Sequence, residues 1–201
     1  MRLIKRRCRK IPEVLTTEEQ ERLLLQLNHS RLLDLRNLCM LKLMVDNGLR
    51  ISETIHLGVR DIDWKRGSFI VRQGKGNRDR VLYLNDENLA LLKRWKKERP
   101  IQCSLLFTTM QGHPVYDVYI RQVVKRLTKK AAIEKNVHPH TLRHSFATDL
   151  YRHTKDIRLV QKALGHADIS TTMIYTHIVD DDLEDALRNF RKGKTSIKIA
   201  S

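Results

Sequence analysis

From His138 to His177 the chain reads HPHTLRHSFATDLYRHTKDIRLVQKALGHADISTTMIYTH, and four of its side chains are suited to chemistry on an anion. His140 and Arg143 stand at i and i+3, as on one face of a helical turn; His166 follows a glycine; Tyr175 closes the set. An imidazole moves protons or donates a hydrogen bond, a guanidinium holds a planar anion, and a phenol becomes a nucleophile once it loses its proton. Taken singly, the same residues also decorate an ordinary solvated helix in a basic chain. Their meaning therefore depends on what other elements bring to them.

Two upstream stretches bear on that. In NGLRISETIHLGVRDID, Arg50 and Glu53 are again i and i+3 at a helix start, directly after a glycine that allows a sharp turn. The carboxylate can hold the guanidinium in one orientation through a charge-assisted hydrogen bond, although an ordinary helix-start ion pair has the same pattern. In Gln73-Gly74-Lys75-Gly76-Asn77 a lysine sits between two glycines at a hairpin tip, beside Arg78 and Arg80. A narrow basic finger of this kind can enter a DNA groove and deliver an ammonium proton to a leaving oxygen; it is equally a good hairpin loop. It lacks the GxxxxGK[ST] pattern of a P-loop.

The elements that must position these residues are mostly helical. Thr16 with Glu19 has the capping-box form and opens a helix through Leu23, Leu24, Leu25 and Leu27 to about Asn28. A second helix, from about Arg31, carries a broad apolar stripe and stops at Asn47-Gly48; a short one follows over Ile51 to Leu57. From Asp61 to Asn85 the period falls to two, which predicts a small antiparallel sheet with a basic hairpin. Helices are then expected from Asn85 toward Glu98, from Tyr116 to about Lys135, and in short pieces over Thr141 to His153, Asp156 to Leu164, Ile169 to Tyr175 and Asp182 to Phe190. The fold class is mainly α with a small antiparallel β-sheet (α+β), in one domain.

Charge narrows the partner. With 39 Lys+Arg against 23 Asp+Glu the formal net charge is +16 and the pI about 10.1, which attracts an anionic partner, nucleic acid first. An anionic membrane is the rival, but no stretch approaches the roughly 18 apolar residues of a spanning helix, and 5% aromatic content supplies few interfacial anchors. Cys8, Cys39 and Cys103 are scattered and odd in number, which argues against a disulfide framework or a zinc site and fits a reducing cytoplasm. His138, His140, His144 and His153 lack an HExxH pattern or a matched third ligand, so no metal is expected. The start, MRLIKRRCRK, has no apolar run behind it and reads as a basic arm.

Taken in order, GLRISE, GKGNRDR, HPHTLRHSFAT and LGHADISTTMIYTH resemble the catalytic domain of the tyrosine recombinases, the phage integrase and Xer-like family of site-specific DNA recombinases. The resemblance covers about Thr16 to Phe190, and it implies the family's catalytic-domain fold over residues 16–190, flanked by a basic arm (1–15) and a basic tail (191–201). It further implies catalytic roles for Arg50, Lys75, His140, Arg143, His166 and Tyr175, with Glu53 in the family's supporting acidic position. By that resemblance Tyr175 attacks a DNA phosphate to give a 3′-phosphotyrosine, His140 takes the phenol proton, Arg50, Arg143 and His166 hold the phosphate, and Lys75 protonates the departing 5′-oxygen. It implies no cofactor and no metal, double-stranded DNA as partner, and a tetramer on DNA in which the tail docks in trans through Ile197 and Ile199, with accessory proteins a further possibility in the family. A separate amino-terminal helical domain, usual in the family, is not expected in this chain. A DNA-binding regulator with the same fold, or a type IB topoisomerase-like enzyme, is the alternative reading.

Overall fold

The computed structural model describes residues 12–72 and 79–178. Residues 1–11 of the expected basic arm, the hairpin tip with Lys75, the expected helix over 182–190 and the tail with Ile197 and Ile199 lie outside the described residues, whereas Leu15, placed in the arm by the sequence, is buried in the core with its amide donating to Ser145 Oγ at 2.8 Å.

Helix α1 (Thr17–Leu24) starts where the capping box predicts: Thr16 Oγ1 accepts from the Glu19 amide at 3.3 Å and Glu19 Oε2 accepts from the Thr16 amide at 2.8 Å. Helix α2 (Leu32–Asn47) is the hub. Leu35, Leu38, Cys39, Met40, Leu41, Leu43 and Met44 are all buried, so the helix is apolar nearly all round and must be covered on several sides. It packs against α4 (Asp86–Glu98) and against α6 (Pro139–Thr154). Helix α3 (Ile51–Ile55) follows α2 after a single tight turn.

The sheet is antiparallel in the order β1 (Ile62–Asp63), β2 (Ser68–Val71), β3 (Arg80–Tyr83), with Ile62 opposite Phe69 and Phe69 opposite Leu82. Its alternation is clean. Phe69, Val71 and Leu82 turn to the core, while Ile70, Val81 and Tyr83 face outward. Helix α4 begins at Asn85, whose side chain accepts from the Asn88 amide, and buries Trp95, which donates to the Leu106 carbonyl at 2.9 Å.

Helix α1 ends at Leu24 rather than about Asn28 and α3 at Ile55 rather than Leu57, and three further boundaries differ from expectation. Helix α5 (Asp117–Lys130) stops short of Lys135, because the chain leaves the helix at Ala131 and Ala132 takes a left-handed φ of 49°, with the Ile133 amide bonding back to Thr128. Helix α6 starts earlier than Thr141, since Pro139 suits a first helical position and His138 Nδ1 accepts from the Thr141 amide at 3.2 Å. After α7 (Ile157–Leu164), the stretch expected as one helix is a 3-10 turn at Ile169–Thr171, capped by Asp168, followed by α8 (Ile174–Ile178).

Most buried apolar side chains form one core running from Leu15 to Leu142, but Ala147, Val160, Leu164 and Tyr175 form a second, smaller cluster with Phe146, Leu150 and Ile174 packed on it. Helix α6 contributes to both. Gly48 lies near that junction: it is left-handed at φ 64°, and a Cβ there would overlap the ring of Phe146. Gly48→Ala is therefore expected to cost at least about 1–3 kcal/mol from the backbone conformation alone, read as a lower midpoint of urea unfolding with an unchanged slope. An unchanged midpoint would show that Phe146 and the turn relax freely.

Candidate active site

The turn at Gly48 presents Arg50 as the N-cap residue of α3 and Glu53 one turn on. Glu53 Oε2 accepts from the Arg50 backbone amide at 2.8 Å, and Glu53 Oε1 accepts from Arg50 Nη1 at 2.7 Å. The same carboxylate receives a second guanidinium in bidentate fashion: Arg80, from β3, donates Nη1 to Oε1 at 2.9 Å and Nη2 to Oε2 at 2.8 Å. A third, Arg143 of α6, places Nη1 at 3.6 Å from Oε2.

Two of these arginines also end other elements. Arg80 Nε donates to the Ala163 carbonyl at 2.8 Å and Arg143 Nη2 to the Leu164 carbonyl at 2.6 Å, both in the last turn of α7; Arg143 Nη1 donates to the Gly48 carbonyl just past α2. Cations placed at helix carboxyl ends satisfy carbonyls that have no intrahelical partner and meet the negative end of the dipole. Arg143 thus ties the ends of α2 and α7 together, and Glu53 ties in α3 and β3.

The electrostatics follow from this packing. Glu53, Arg80 and Arg143 are almost wholly buried, whereas the Arg50 side chain is 31% exposed. Burial alone would raise the Glu53 carboxyl, but hydrogen bonds and charge from Arg80, the Arg50 amide and the charge of Arg143 hold it down at about 2. Burial beside Arg50 pushes the Arg143 guanidinium down, with Glu53 opposing, yet a guanidinium remains charged at neutral pH. Three cations around one anion leave a net positive site that opens to solvent through Arg50.

His166 is set by the end of α7. Gly165 takes a left-handed φ of 65° as the cap, and the next residue is turned back so that His166 Nδ1 lies 3.0 Å from Thr172 Oγ1. Burial, then the charges of Arg143 and Arg50, lower this histidine to about 4. It is neutral at pH 7.

Tyr175 is 1% exposed, in the small second cluster, and its hydroxyl lies 2.8 Å from His144 Nδ1. Burial raises the phenol to about 12, against a downward pull from Arg143 and Arg50. Burial, then His140 and Arg143, lowers His144 to about 4. At neutral pH the phenol keeps its proton, and its hydroxyl shares a hydrogen bond with Nδ1 of a neutral imidazole. The stability that His144 and His166 contribute as buried neutral rings is complete above their ordinary value of 6.5 and is lost as pH falls toward 4.

His140 stands apart from this pair. It is exposed in the first turn of α6, edge-on to His138 at 6.2 Å between ring centroids, and shifted downward by partial burial and by the charges of His138 and Arg143. Among the described residues the hydrogen-bond partner of Tyr175 is His144, not His140. Arg50, Glu53, Arg143 and the His166 turn are brought together; Tyr175 is near but withdrawn; Lys75 is outside the described residues. Arg80 and His144 were not singled out from sequence. For Arg80 the available signal was an arginine at a core-facing position of an alternating strand, where Val81 and Tyr83 face out.

The phage integrase family model matches residues 13–181. The tyrosine recombinase XerD of Oceanobacillus iheyensis is 38% identical over 189 residues, which is 90% of this chain and 63% of that protein. A crystal structure of the XerH site-specific recombinase bound to a palindromic difH substrate, a post-cleavage complex, superposes with a TM-score of 0.79 at 33% identity over 91% of this chain and 54% of that one. The crystal structure of XerA recombinase gives 0.78 at 33% identity, over 90% and 66%. The chain spans just under two thirds of the length of the XerD sequence that it matches.

Removing the charge at the centre of the cluster tests its weight. Glu53→Gln leaves Arg80 and Arg143 buried without a full counter-charge and is expected to destabilise the fold by about 3–5 kcal/mol in urea at pH 7. The native carboxylate contributes stability that is complete above its unfolded value of 4.5 and lost as pH falls toward about 2. The variant should accordingly show a shallower loss of stability across that window, and an identical acid profile would show that Glu53 is not what holds the arginines.

Proposed function

The chain belongs to the phage integrase family, and from that premise we propose that it is a site-specific DNA recombinase, cutting and rejoining strands of double-stranded DNA through a 3′-phosphotyrosine. The observation that carries this reading is the convergence on one carboxylate, Glu53, of arginines from the α2–α3 turn, β3 and α6, with Arg143 also tethering the end of α7 from which His166 emerges. These are the separated motifs that a phosphate cradle needs in one place.

In the proposed reaction the Tyr175 oxygen forms a bond to phosphorus and the bond from phosphorus to the 5′-oxygen breaks. The phenol proton goes to His140, and Lys75 supplies a proton to the leaving 5′-oxygen. Arg50 and Arg143 receive the charge that develops on the non-bridging oxygens, and His166 donates a further hydrogen bond. Attack by a second strand's 5′-hydroxyl reverses the step, so the phosphodiester energy is conserved and joining needs no hydrolysis. Acting on chromosomal DNA, the protein works in the cytoplasm; assembly as a tetramer and docking of the 191–201 tail on a neighbouring subunit complete the reading.

The burial of Tyr175 bears on the division of labour between the histidines. With Tyr175 buried to 1% exposure, its hydroxyl does not meet a DNA phosphate in place, so its bond to His144 belongs to the stored state. His140, exposed in the first turn of α6, is placed to meet the tyrosine once it emerges.

The reading is tested with nicked duplexes of randomised sequence, trapping covalent protein–DNA adducts after denaturation. An adduct that Tyr175→Phe eliminates is the expected result; no adduct would overturn the reading in favour of a DNA-binding regulator, and relaxation of supercoiled plasmid, with each strand resealed to itself and no sequence-specific joining of separate strands, would favour a topoisomerase-like enzyme. Single-turnover cleavage of a captured sequence then separates the histidines. His140→Ala should slow adduct formation by about 10²–10⁴-fold, as loss of a general base does. His144→Ala strands a buried hydroxyl, at a cost of about 1–3 kcal/mol to the stored state, and should leave cleavage equal or up to about tenfold faster. A His144→Ala defect as deep as that of His140→Ala would assign the base to His144.

A further inference from the structure

We propose that the groove between β3 and α7 is a binding site for a short single-stranded segment of DNA, the strand released with its 5′-hydroxyl. This rests on the recombinase reading, because only a cleaved strand free of its partner is available to enter it.

The groove has a volume of about 860 Å³ and is lined by Val81, Tyr83, Arg158, Gln161, Lys162 and His166 among others. That is the size of a small-molecule cleft, roughly 300–1,000 Å³, and too small to admit a duplex. It follows α7 from Arg158 to Gly165, about 10 Å of helical rise at 1.5 Å per residue, which matches two or three nucleotides at about 3.4 Å per strand. One end opens beside His166, so a strand held there leads directly from the phosphate cradle.

The chemistry of the walls suits one strand of nucleic acid. Arg158 and Lys162 are i and i+4 on α7, and neither forms an ion pair among the described residues. Opposite them, the outward face of β3 offers the Tyr83 ring, 72% exposed, with Val81 beside it. An exposed aromatic ring facing a basic track is the combination that binds unpaired strands: the cations follow the phosphates and the ring stacks on a base of any identity. The acidic side chain at the rim, Asp79, stands 4.0 Å from Arg72 Nη1. Arg80 and His166 also line the groove, so it adjoins the phosphate cradle, while Val81, Tyr83, Arg158, Gln161 and Lys162 lie beyond it.

A fluorescent single-stranded oligonucleotide with a free 5′-hydroxyl, titrated with the full chain by anisotropy, reads the site directly. Tyr83→Ala should weaken binding by about 10-fold or more, and Tyr83→Phe should retain it, since stacking on one aromatic ring is worth about 1–3 kcal/mol per base. Arg158→Ala with Lys162→Ala should weaken binding and lower the salt slope by about 1.4, at about 0.7 per neutralised phosphate of a single strand. Lys93→Ala with Lys97→Ala, on α4 across α2 from α6, should change little. Binding insensitive to Tyr83→Ala, or reduced as much by the α4 pair, would overturn the proposal. So would a peptide of residues 191–201 that binds in a Tyr83-dependent way while the oligonucleotide does not. Because the assay needs no covalent step, failure of the recombinase reading appears separately, as absence of the Tyr175 adduct with oligonucleotide binding intact.

Discussion

One carboxylate holds this architecture in register. Glu53 is buried, carries a full negative charge, and accepts hydrogen bonds from Arg50 and Arg80 while Arg143 stands 3.6 Å away. A buried ion is costly unless its hydrogen-bonding capacity is filled, and here it is filled by donors from the start of α3 and from β3, with the Arg143 charge of α6 beside them. Because each arginine is itself committed to carbonyls or to a helix start, a shift of any one element would unpair a buried charge. The cluster therefore acts as a register lock: α3, β3, α6 and the end of α7 keep one relative arrangement or lose several charge-assisted bonds together. An apolar core of leucines and methionines such as that around α2 supplies stability but tolerates sliding and repacking; the ionic cluster supplies the specific alignment.

The proposed nucleophile is held by a different kind of structure. Tyr175 belongs to the small cluster with Ala147, Val160 and Leu164, apart from the main core, and α8, which carries it, packs chiefly on α6. Among the described residues the apolar side chains of that cluster and the hydrogen bond to His144 retain it. The Glu53 cluster is thus locked by several charge-assisted bonds, whereas Tyr175 sits in the smaller apolar cluster. Local stability in proteins ranges from near zero to the global value, and elements that must move are drawn from the low end.

Much of this was legible in the sequence, for identifiable reasons. The α1 cap, the Gly48 stop, α4 from Asn85 to Glu98 and the period-two sheet are local signals, and each element forms where its own residues dictate. The pairing of Arg50 with Glu53 is likewise local, three residues apart across one turn. What escaped was non-local. Arg80 reads as part of a basic hairpin until β3 is known to lie against α3 and α7, and nothing in sequence says that its fork of donors turns inward to Glu53 and Ala163. His144 sits one turn beyond His140 on the same helix, and only the depth of α6 in the fold distinguishes the ring that meets solvent from the ring that meets Tyr175. The break of Ile169–Tyr175 into a 3-10 turn and a helix is set by the Asp168 cap and by Thr172 turning inward toward His166, a tertiary contact that overrides the helical spacing.

Under the proposed mechanism the charges of the site let withdrawal and activation share one set of residues. In the stored position burial lifts the Tyr175 phenol to about 12 even though Arg143 and Arg50 pull it down, so desolvation outweighs two nearby guanidinia. Moving the hydroxyl toward Arg50, the one arginine of the cluster with substantial exposure, relieves the desolvation and keeps the attraction of the cations. The same arginines that fail to ionise the tyrosine inside the protein thus favour its phenolate outside. A phosphate bound by Arg50 would in turn draw the guanidinium charge to itself, so the pull on the tyrosine and the grip on the phosphate compete until a bond between oxygen and phosphorus makes them one anion. In the proposed reaction both effects then act on the same charge, and the stabilisation is greatest in the pentacoordinate state.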